Sequence, residues 1–528
     1  MLRSTPDARW AALLITATFL AYGLALVSGF VLDDVPILID NPQRVADINY
    51  LSFFTHSVWD HTAENSNSFI YRPLFMLYMA LSQSLWGDNP FGYHLASLLL
   101  HAANAMLCLQ VLRSIYPNAS STLLGTAALL FTLHPSHVES TNWIAGVTDL
   151  QLSFFLLLSF LAYQRPQLGW LGISYATFAL ALLSKEVAVT FPLVVMAQDL
   201  LIRRRPAWWR WLGFVALVAG YFLLRTQALG ESAAWGRFDL GQIGAAFAAL
   251  GHYTQHIFFP WPNTYYQTPP TNPLLMGLGW GAILACLMLL IRHGRQREWS
   301  PLLGAVWFGA MLAPALALSL LDHPTFAQRF LYLPSIGITI FMVGVLQQSM
   351  LTTLRPRLIA AVLAAGFTLA CWQAAWTWKD DKQFYLAGLK QTHGLQFYNG
   401  LAGYLVRSQE QGIGRRELLQ IILTHTPAGP EQATALDMVA TYAARNNRLA
   451  AGEWLFERLN EHYPDYVMGW MGRANVALLR GDYQAAGEFY LQALRQEPGN
   501  PQLCGNAYRV ARHVTAATRQ QIAQTCRP

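Results

Sequence analysis

Apolar runs close to the length of a bilayer crossing recur from residue 10 to about residue 376, separated by short polar loops. A hydrocarbon core of about 30 Å takes roughly twenty helical residues, and within it each segment must satisfy its own backbone N–H and C=O groups. A polytopic bundle of helices is the fold this implies. The expected spans lie near 10–30, 91–112, 120–134, 148–164, 168–184, 187–202, 210–227, 274–291, 301–321, 330–348 and 356–376, which makes about eleven crossings by the length rule. Charge is correspondingly sparse: 12% of residues are Asp, Glu, Lys or Arg, about half the share in a soluble domain. No small-x-small cleavage site precedes Asp33 and further spans follow, so the first run reads as a retained helix and not as a signal peptide.

The placement of Lys and Arg sets the orientation. With the N-terminus inside, the inner loops carry Arg3, Arg9, Arg113, Arg165, Arg203, Arg204, Arg205, Arg210, Arg292, Arg295, Arg297, Arg355 and Arg357. The outer loops carry isolated cations: Arg44, Arg72, Lys185, Arg225, Arg237 and Arg329. Most of the net charge of +6 is this inner bias, so it gives no reason to expect a nucleic-acid partner. Asp33, Asp34 and the chain beyond residue 378 then lie outside the cytoplasm. Residues 241–260 are apolar enough to cross, but a crossing there would put "RHGRQR" outside. The charge rule favours an interfacial or re-entrant helix on the outer face.

Beyond residue 378 the chain is polar, charged and helical in pattern. "RNNRLAAGEWLFERLNEHYP" (445–464) and "RGDYQAAGEFYLQALRQEP" (480–498) are two copies of one pattern, with Ala-Ala-Gly-Glu at 450 and at 485. That is about one tetratricopeptide period, and Trp470, Gly472, Ala474, Tyr483, Ala486, Tyr490 and Pro498 fit the repeat. A stack of such helix pairs offers a concave groove for peptides; the alternative is a cap that only stabilises the membrane part. The expected organisation is a transmembrane domain over 1–378, with a first outer loop and interfacial helices over 31–90, followed by a tetratricopeptide-like domain over 379–528. The fold class is all-α. Cys504 and Cys526 both fall in the outer tail, where they either pair as a disulfide or remain two thiols.

Candidate chemistry gathers at the outer mouths of the spans. "GFVLDDVP" places Asp33 and Asp34 directly after the first apolar run, where ionisable groups are costly and are kept mostly for function. "LSFFTHSVWD" (51–60) and "FIYRPLFMLYMALSQSLW" (69–86) read as interfacial helices, the second opening at Arg72. An arginine at headgroup depth grips phosphate through a pair of hydrogen bonds, or merely snorkels. His134, His137 and Glu139 end the third span, Asp149 opens the fourth, Lys185 and Glu186 lie between the fifth and sixth, and Asp322, His323 and Arg329 open the tenth. Together they describe a polar cavity at one bilayer surface. His134, His137 and Glu139 are too closely spaced, and too short of a third strong ligand, for zinc. The chain has no phosphate-binding glycine loop and no Gly-x-Ser-x-Gly elbow, so nucleotide hydrolysis and serine-hydrolase chemistry are unsupported.

In this order, "FVLDDVPILIDNP", "YRPL" with "FGYHLASLLLHAANA", "LLFTLHPSHVESTNWIAGVTDLQ", "LLSKEVAVTFP" and "RFLYLPSIG", followed by the repeats, the chain resembles the transmembrane and tetratricopeptide-repeat O-mannosyltransferases, integral-membrane glycosyltransferases of the type C fold. The resemblance runs over nearly the whole chain. It implies inverting transfer of a sugar from a polyprenyl-phosphate donor to a hydroxyl of an acceptor outside the cytoplasm. By the resemblance the catalytic base is Asp33 or Asp34. Asp33 is favoured, with Asp34 orienting the acceptor or anchoring the loop. Arg72, Lys185 and Arg329 are then candidates for the donor phosphate, with Glu139, Asp149 and Glu186 holding those cations or sugar hydroxyls, and His134 and His137 completing the cavity. No cofactor is implied beyond the lipid-linked donor substrate, and no metal is expected. Two positions depart from the family's pattern. Val147 stands where relatives usually carry a base two before the aspartate, and Gln328 where they tend to carry an acid before the arginine. Both alter the charge near the expected phosphate.

The repeats point to Ser or Thr of a protein as acceptor. The alternatives are transfer to a glycan or envelope lipid, and a non-catalytic membrane scaffold presenting a peptide-binding repeat domain. A transporter would show paired broken helices in two similar halves, which the chain lacks. The short repeat array and lean loops point to a bacterial inner membrane, with site and C-terminal domain in the periplasm; a eukaryotic equivalent would sit in the endoplasmic reticulum membrane.

Overall fold

The computed structural model describes residues 6–41, 43–62, 70–230, 239–260, 273–296, 299–320, 326–348, 354–391, 395–407 and 415–526. Arg3, Arg237, Arg297, Asp322 and His323 lie outside them. The chain is all-helical in these residues and divides into two compact units, Met1–Asp380 and Asp381–Pro528.

The first unit holds α1 (Pro6–Tyr22), α2 (Pro73–Trp86), α3 (Pro90–Ile115), α4 (Ser121–Thr132), α5 (Val138–Asn142), α6 (Val147–Tyr163), α7 (Leu168–Ser184), α8 (Phe191–Ala197), α9 (Trp208–Leu229), α10 (Ile243–Phe258), α11 (Pro273–Gln296), α12 (Ser300–Leu318), α13 (Tyr332–Gln348) and α14 (Leu354–Ala375). Every apolar run named above is helical, because a chain in lipid has no other local means of satisfying its backbone. Six helical stretches among the described residues are long and apolar enough to cross unaided: Ala8–Val27, Pro90–Ile115, Trp208–Leu229, Ser300–Leu318, Gln328–Gln347 and Leu358–Trp378. The chain is an integral membrane protein.

Local sequence fixes the helix starts around the site. Asn89 accepts the Phe91 N–H at 3.1 Å with Pro90 in the first helical position, and Ser120 caps α4 through the Leu123 N–H at 3.2 Å. Pro73 likewise opens α2 directly after Arg72. Residues 51–60 differ from the expected interfacial helix: they form two 3-10 turns, Tyr50–Phe54 and Trp59–His61. The reason is local competition for the backbone. Ser52 donates to the Asn49 carbonyl at 2.6 Å, while Ser57 and Asp60 bond each other's N–H at 3.2 and 2.7 Å.

α6 and α7 form a hairpin stapled in its loop-side half, where Ser159 and Ser174 each donate to the other's carbonyl at 2.8 and 2.9 Å. Such polar contacts substitute for the hydrophobic force that lipid removes. α12 and α13 approach closely at Gly304 and Gly337; a Cβ on Gly304 would lie 2.5 Å from the Phe341 nitrogen. The run Pro135–Asn142 and α6 meet at a bend of 107°. Gly146 makes the bend, since a Cβ there would fall 2.7 Å from the Glu139 carbonyl oxygen.

The second unit holds α15 (Asp381–Gln391), α16 (Leu395–Arg407), α17 (Arg415–His425), α18 (Pro430–Arg445), α19 (Leu449–His462), α20 (Val467–Leu479), α21 (Tyr483–Gln496), α22 (Pro501–Val510) and α23 (Ala516–Thr525). The two Ala-Ala-Gly-Glu copies begin on α19 and α21. The Phe456 ring occupies the space beside Gly472, so α19 and α20 pack closely there. Cys504 and Cys526 are joined by a disulfide, with Cα atoms 5.6 Å apart.

Candidate active site

The acid pair sits in a turn. Leu32 has φ of +56°, a left-handed conformation that costs a leucine about 1–2 kcal/mol, and Asp34 is helical. The turn separates the two carboxylates. Asp34 is wholly buried: its Oδ2 accepts the Val31 N–H at 3.0 Å and its Oδ1 accepts the Ala145 N–H at 2.8 Å. Ala145 belongs to the break between α5 and α6, where the helical ladder leaves N–H groups without partners. The Trp143 indole N–H donates to the Val31 carbonyl at 3.1 Å, closing the same turn from the other side. Asp33 remains half-buried and within electrostatic reach of Arg329.

Arg329 belongs to a group of three neighbouring cations, each with its own carboxylate. Arg72 grips Glu186 with both arms of its guanidinium, Nε to Oε2 at 2.9 Å and Nη2 to Oε1 at 2.6 Å. Lys185 Nζ meets Asp149 Oδ1 at 2.6 Å, and its side chain is 2% exposed. Arg329 pairs with Glu139 Oε1 through Nη1, and its backbone N–H donates to Oε2 at 3.0 Å. The Phe330 ring lies 5.5 Å from Lys185 Nζ and 5.0 Å from the Arg329 guanidinium, and the Trp143 ring lies 5.0 Å from Arg329. Burial lowers the Lys185 ammonium; Asp149 opposes this, while Arg72 and Arg329 add to it, so the three cations feel one another. Burial alone would raise the Glu186 carboxyl, but Arg72 and Lys185 more than reverse this and hold it down to about 2.

Glu139, Asp149 and Glu186 thus stand beside the cations. His134 and His137 do not share those ion pairs. His134 Nε2 bonds the Ile257 carbonyl at 2.9 Å, and His137 Nε2 bonds Ser335 Oγ at 3.0 Å, its ring 4.5 Å from Tyr332 and 4.8 Å from Phe131. Both are core imidazoles of the bundle, because the chain turns inward after α4 and buries that polar stretch.

Further groups stand at the site beyond the candidate cations and their carboxylates. Arg225 is buried on α9, one turn beyond Tyr221, whose phenol interacts with Glu186, Arg72 and Arg225. The spacing i, i+4 from Tyr221 was the available clue. Around the bend, Ser140 Oγ, Asn142 Nδ2, Asp149 Oδ2 and Gln151 Oε1 are buried without a hydrogen-bond partner among the described residues. Buried polar atoms are ordinarily satisfied, so four on one short segment mark a place built for a polar ligand. Among the described residues no group of three or more His, Cys, Asp or Glu side chains has the arrangement of a metal site.

Comparison with known proteins gives the same direction. The chain resembles protein O-mannosyl-transferases. It is 31% identical over 186 residues to human protein O-mannosyl-transferase TMTC3, covering 34% of this chain and 20% of the relative. Human TMTC1 is 33% identical over 207 residues, covering 36% and 23%. Human TMTC4 aligns over a longer range, 23% identical over 464 residues, covering 72% of this chain and 61% of the relative. The chain therefore spans about a fifth of the length of the first two. No family model matches. Among solved structures, a crystal structure of ArnT from Cupriavidus metallidurans bound to undecaprenyl phosphate aligns with 98% of this chain and 78% of its own, at 14% identity and a TM-score of 0.39.

Proposed function

We propose that the chain is an inverting membrane glycosyltransferase that moves a sugar from a polyprenyl-phosphate donor to a hydroxyl of an acceptor, Ser or Thr of a protein, on the outer face of the membrane. The observation that carries this reading is a half-buried Asp33 within electrostatic reach of Arg329, one of three neighbouring cations that each hold a carboxylate. A scaffold has no use for that arrangement.

Asp33 acts as the base. It takes the proton of the acceptor hydroxyl as that oxygen bonds to the anomeric carbon from the face opposite the phosphate. The bond from that carbon to the phosphate oxygen breaks, and the lipid leaves as a monophosphate with one more negative charge. Cations rather than an acid meet this charge: Arg72, Lys185 and Arg329, with Arg225 behind them. Each cation keeps donors beyond those its carboxylate uses, since guanidinium offers five and ammonium three. The unsatisfied atoms of Ser140, Asn142, Asp149 and Gln151 suit the sugar hydroxyls. About eleven crossings, with the helical repeats periplasmic, would bring a lipid donor and a protein acceptor to the same surface. In the repeat unit a cavity of about 240 Å³ lined by Tyr466, Met468, Met471 and Leu503, with Asp465 and Glu497 beside them, suits an acceptor peptide.

The test is a transfer assay with purified protein in detergent, offering a panel of polyprenyl-phosphate sugars and following release of the lipid phosphate. Turnover with one donor, lost in Asp33→Asn, is the expected result. Silence across the panel from folded protein would overturn the reading and leave a membrane scaffold with a peptide-binding repeat domain.

A further inference from the structure

A second charged cluster stands at the opposite ends of the same helices. Asp149 and Lys185 join one end of the α6–α7 hairpin, while Tyr163 lies fourteen residues further along α6, about 21 Å away at 1.5 Å per residue. α9 repeats the measurement: Arg225 is on the active-site side and Arg210 is fifteen residues back, about 22 Å. Two helices independently set this cluster at the other bilayer surface.

Its centre is Asp199, wholly buried, which accepts from the Tyr163 hydroxyl, from Trp211 Nε1 at 2.9 Å and from Arg203 Nη1 at 3.4 Å. The Arg210 guanidinium lies 4.0 Å over the Tyr163 ring and donates to the Tyr163 carbonyl at 2.7 Å; Arg203 donates to the same carbonyl at 3.2 Å. One carboxylate and one phenol therefore fix two guanidiniums. Arg165, Arg204 and Arg205 are exposed beside them, Arg204 at φ of +54°. Five arginines thus lie at this end, and Asp199 accepts from one of them, Arg203. Around them Trp208 and Trp209 are 67% and 51% exposed, with Trp170 beside Arg165.

Orientation of the chain in the membrane needs only positive charge somewhere in these loops. It needs neither Asp199 and Tyr163 between them holding two of the arginines in place nor a left-handed arginine beside them. Planar guanidiniums match phosphate oxygens in pairs, and tryptophans settle at headgroup depth. We infer that this end of the bundle binds the phosphodiester headgroup of an anionic glycerophospholipid, in the leaflet opposite the sugar-transfer site. The inference stands independently of the transfer reaction.

The test is thermal unfolding of the full-length protein in detergent with added phosphatidylglycerol or cardiolipin, compared with phosphatidylcholine and with inorganic phosphate. The anionic lipids are expected to raise the unfolding midpoint while phosphatidylcholine and inorganic phosphate leave it in place. In Arg205→Gln the lipid-free midpoint should be unchanged, with apparent affinity for the anionic lipid falling about fivefold. Arg165→Gln, on a different loop, should give a loss of the same size. Equal stabilisation by phosphatidylcholine, or an undiminished effect in both variants, would overturn the site. An equal response to inorganic phosphate would overturn the lipid assignment in favour of a soluble anion.

Discussion

Replacing each aspartate of the pair by asparagine separates two roles that neighbouring residues share only in sequence. Asp34 uses both carboxylate oxygens, one for the Val31 N–H and one for the Ala145 N–H. Asparagine keeps one acceptor and turns an NH2 toward the other amide. A hydrogen bond to a charged group contributes about 1.5–3 kcal/mol, and the left-handed Leu32 adds about 1 kcal/mol of bias toward opening. Asp34→Asn is thus expected to destabilise the protein by about 2–3 kcal/mol and to lower turnover indirectly, as Asp33 loses its fixed position. Leu32→Gly in that background should recover part of both, because glycine adopts positive φ without strain. Asp33→Asn leaves the two amide bonds in place, so its unfolding midpoint should fall less than that of Asp34→Asn. Its turnover should fall by about 10²–10⁴ with loss of the general base. Thermal unfolding and initial rates on the same preparations read the two effects separately. A well-folded Asp34→Asn protein with collapsed turnover, beside an active Asp33→Asn protein, would refute the assignment.

The Arg72–Glu186 pair predicts a pH dependence. Glu186 is held down to about 2, below its unfolded value near 4.3, so its contribution is full above that value and is lost as pH falls from about 4 toward 2. Glu186→Gln should cost about 3 kcal/mol at neutral pH, with the gap from the parent closing over that acid range in thermal unfolding. Asp437 runs the other way: burial raises its carboxyl to about 6, with Thr441 opposing. A raised acid destabilises the fold as pH climbs through that value, so Asp437→Asn should raise the midpoint near pH 7.5 and have little effect near pH 4. The Cys504–Cys526 bond closes a separation of 22 residues, and the double Ser variant should lose about 3 kcal/mol of stability, seen as a lower denaturant midpoint for the oxidised parent's comparison.

The helices were legible because hydropathy and length directly encode what lipid requires of a backbone. The candidate cations and carboxylates were legible for a related reason: charge is so sparse that each one stands out. Their pairings were not. Arg72 finds Glu186 across 114 residues and Arg329 finds Glu139 across 190, distances over which a sequence holds no register. The distinction between Asp33 and Asp34 rests on the φ of Leu32 and on an amide of Ala145, neither of which any local pattern specifies. The burial of His134 and His137 was not legible either, because polarity at a span end looks the same whether the chain turns to solvent or into the core. Arg225 counted only as one of the isolated outer cations, because only the packing of α9 carries it inward.

The α6–α7 hairpin has one further consequence. Each arm is 17 residues long, about 25 Å at 1.5 Å per residue, against a hydrocarbon thickness of about 30 Å. A hairpin shorter than its bilayer is accommodated by thinning the lipid beside it. The dimple would fall along the flank where Asp149 and Lys185 lie. A lipid arriving there carries its headgroup closer to the midplane than its neighbours do. The membrane itself, deformed by two short helices, would then lower the phosphate to the depth of the lysine.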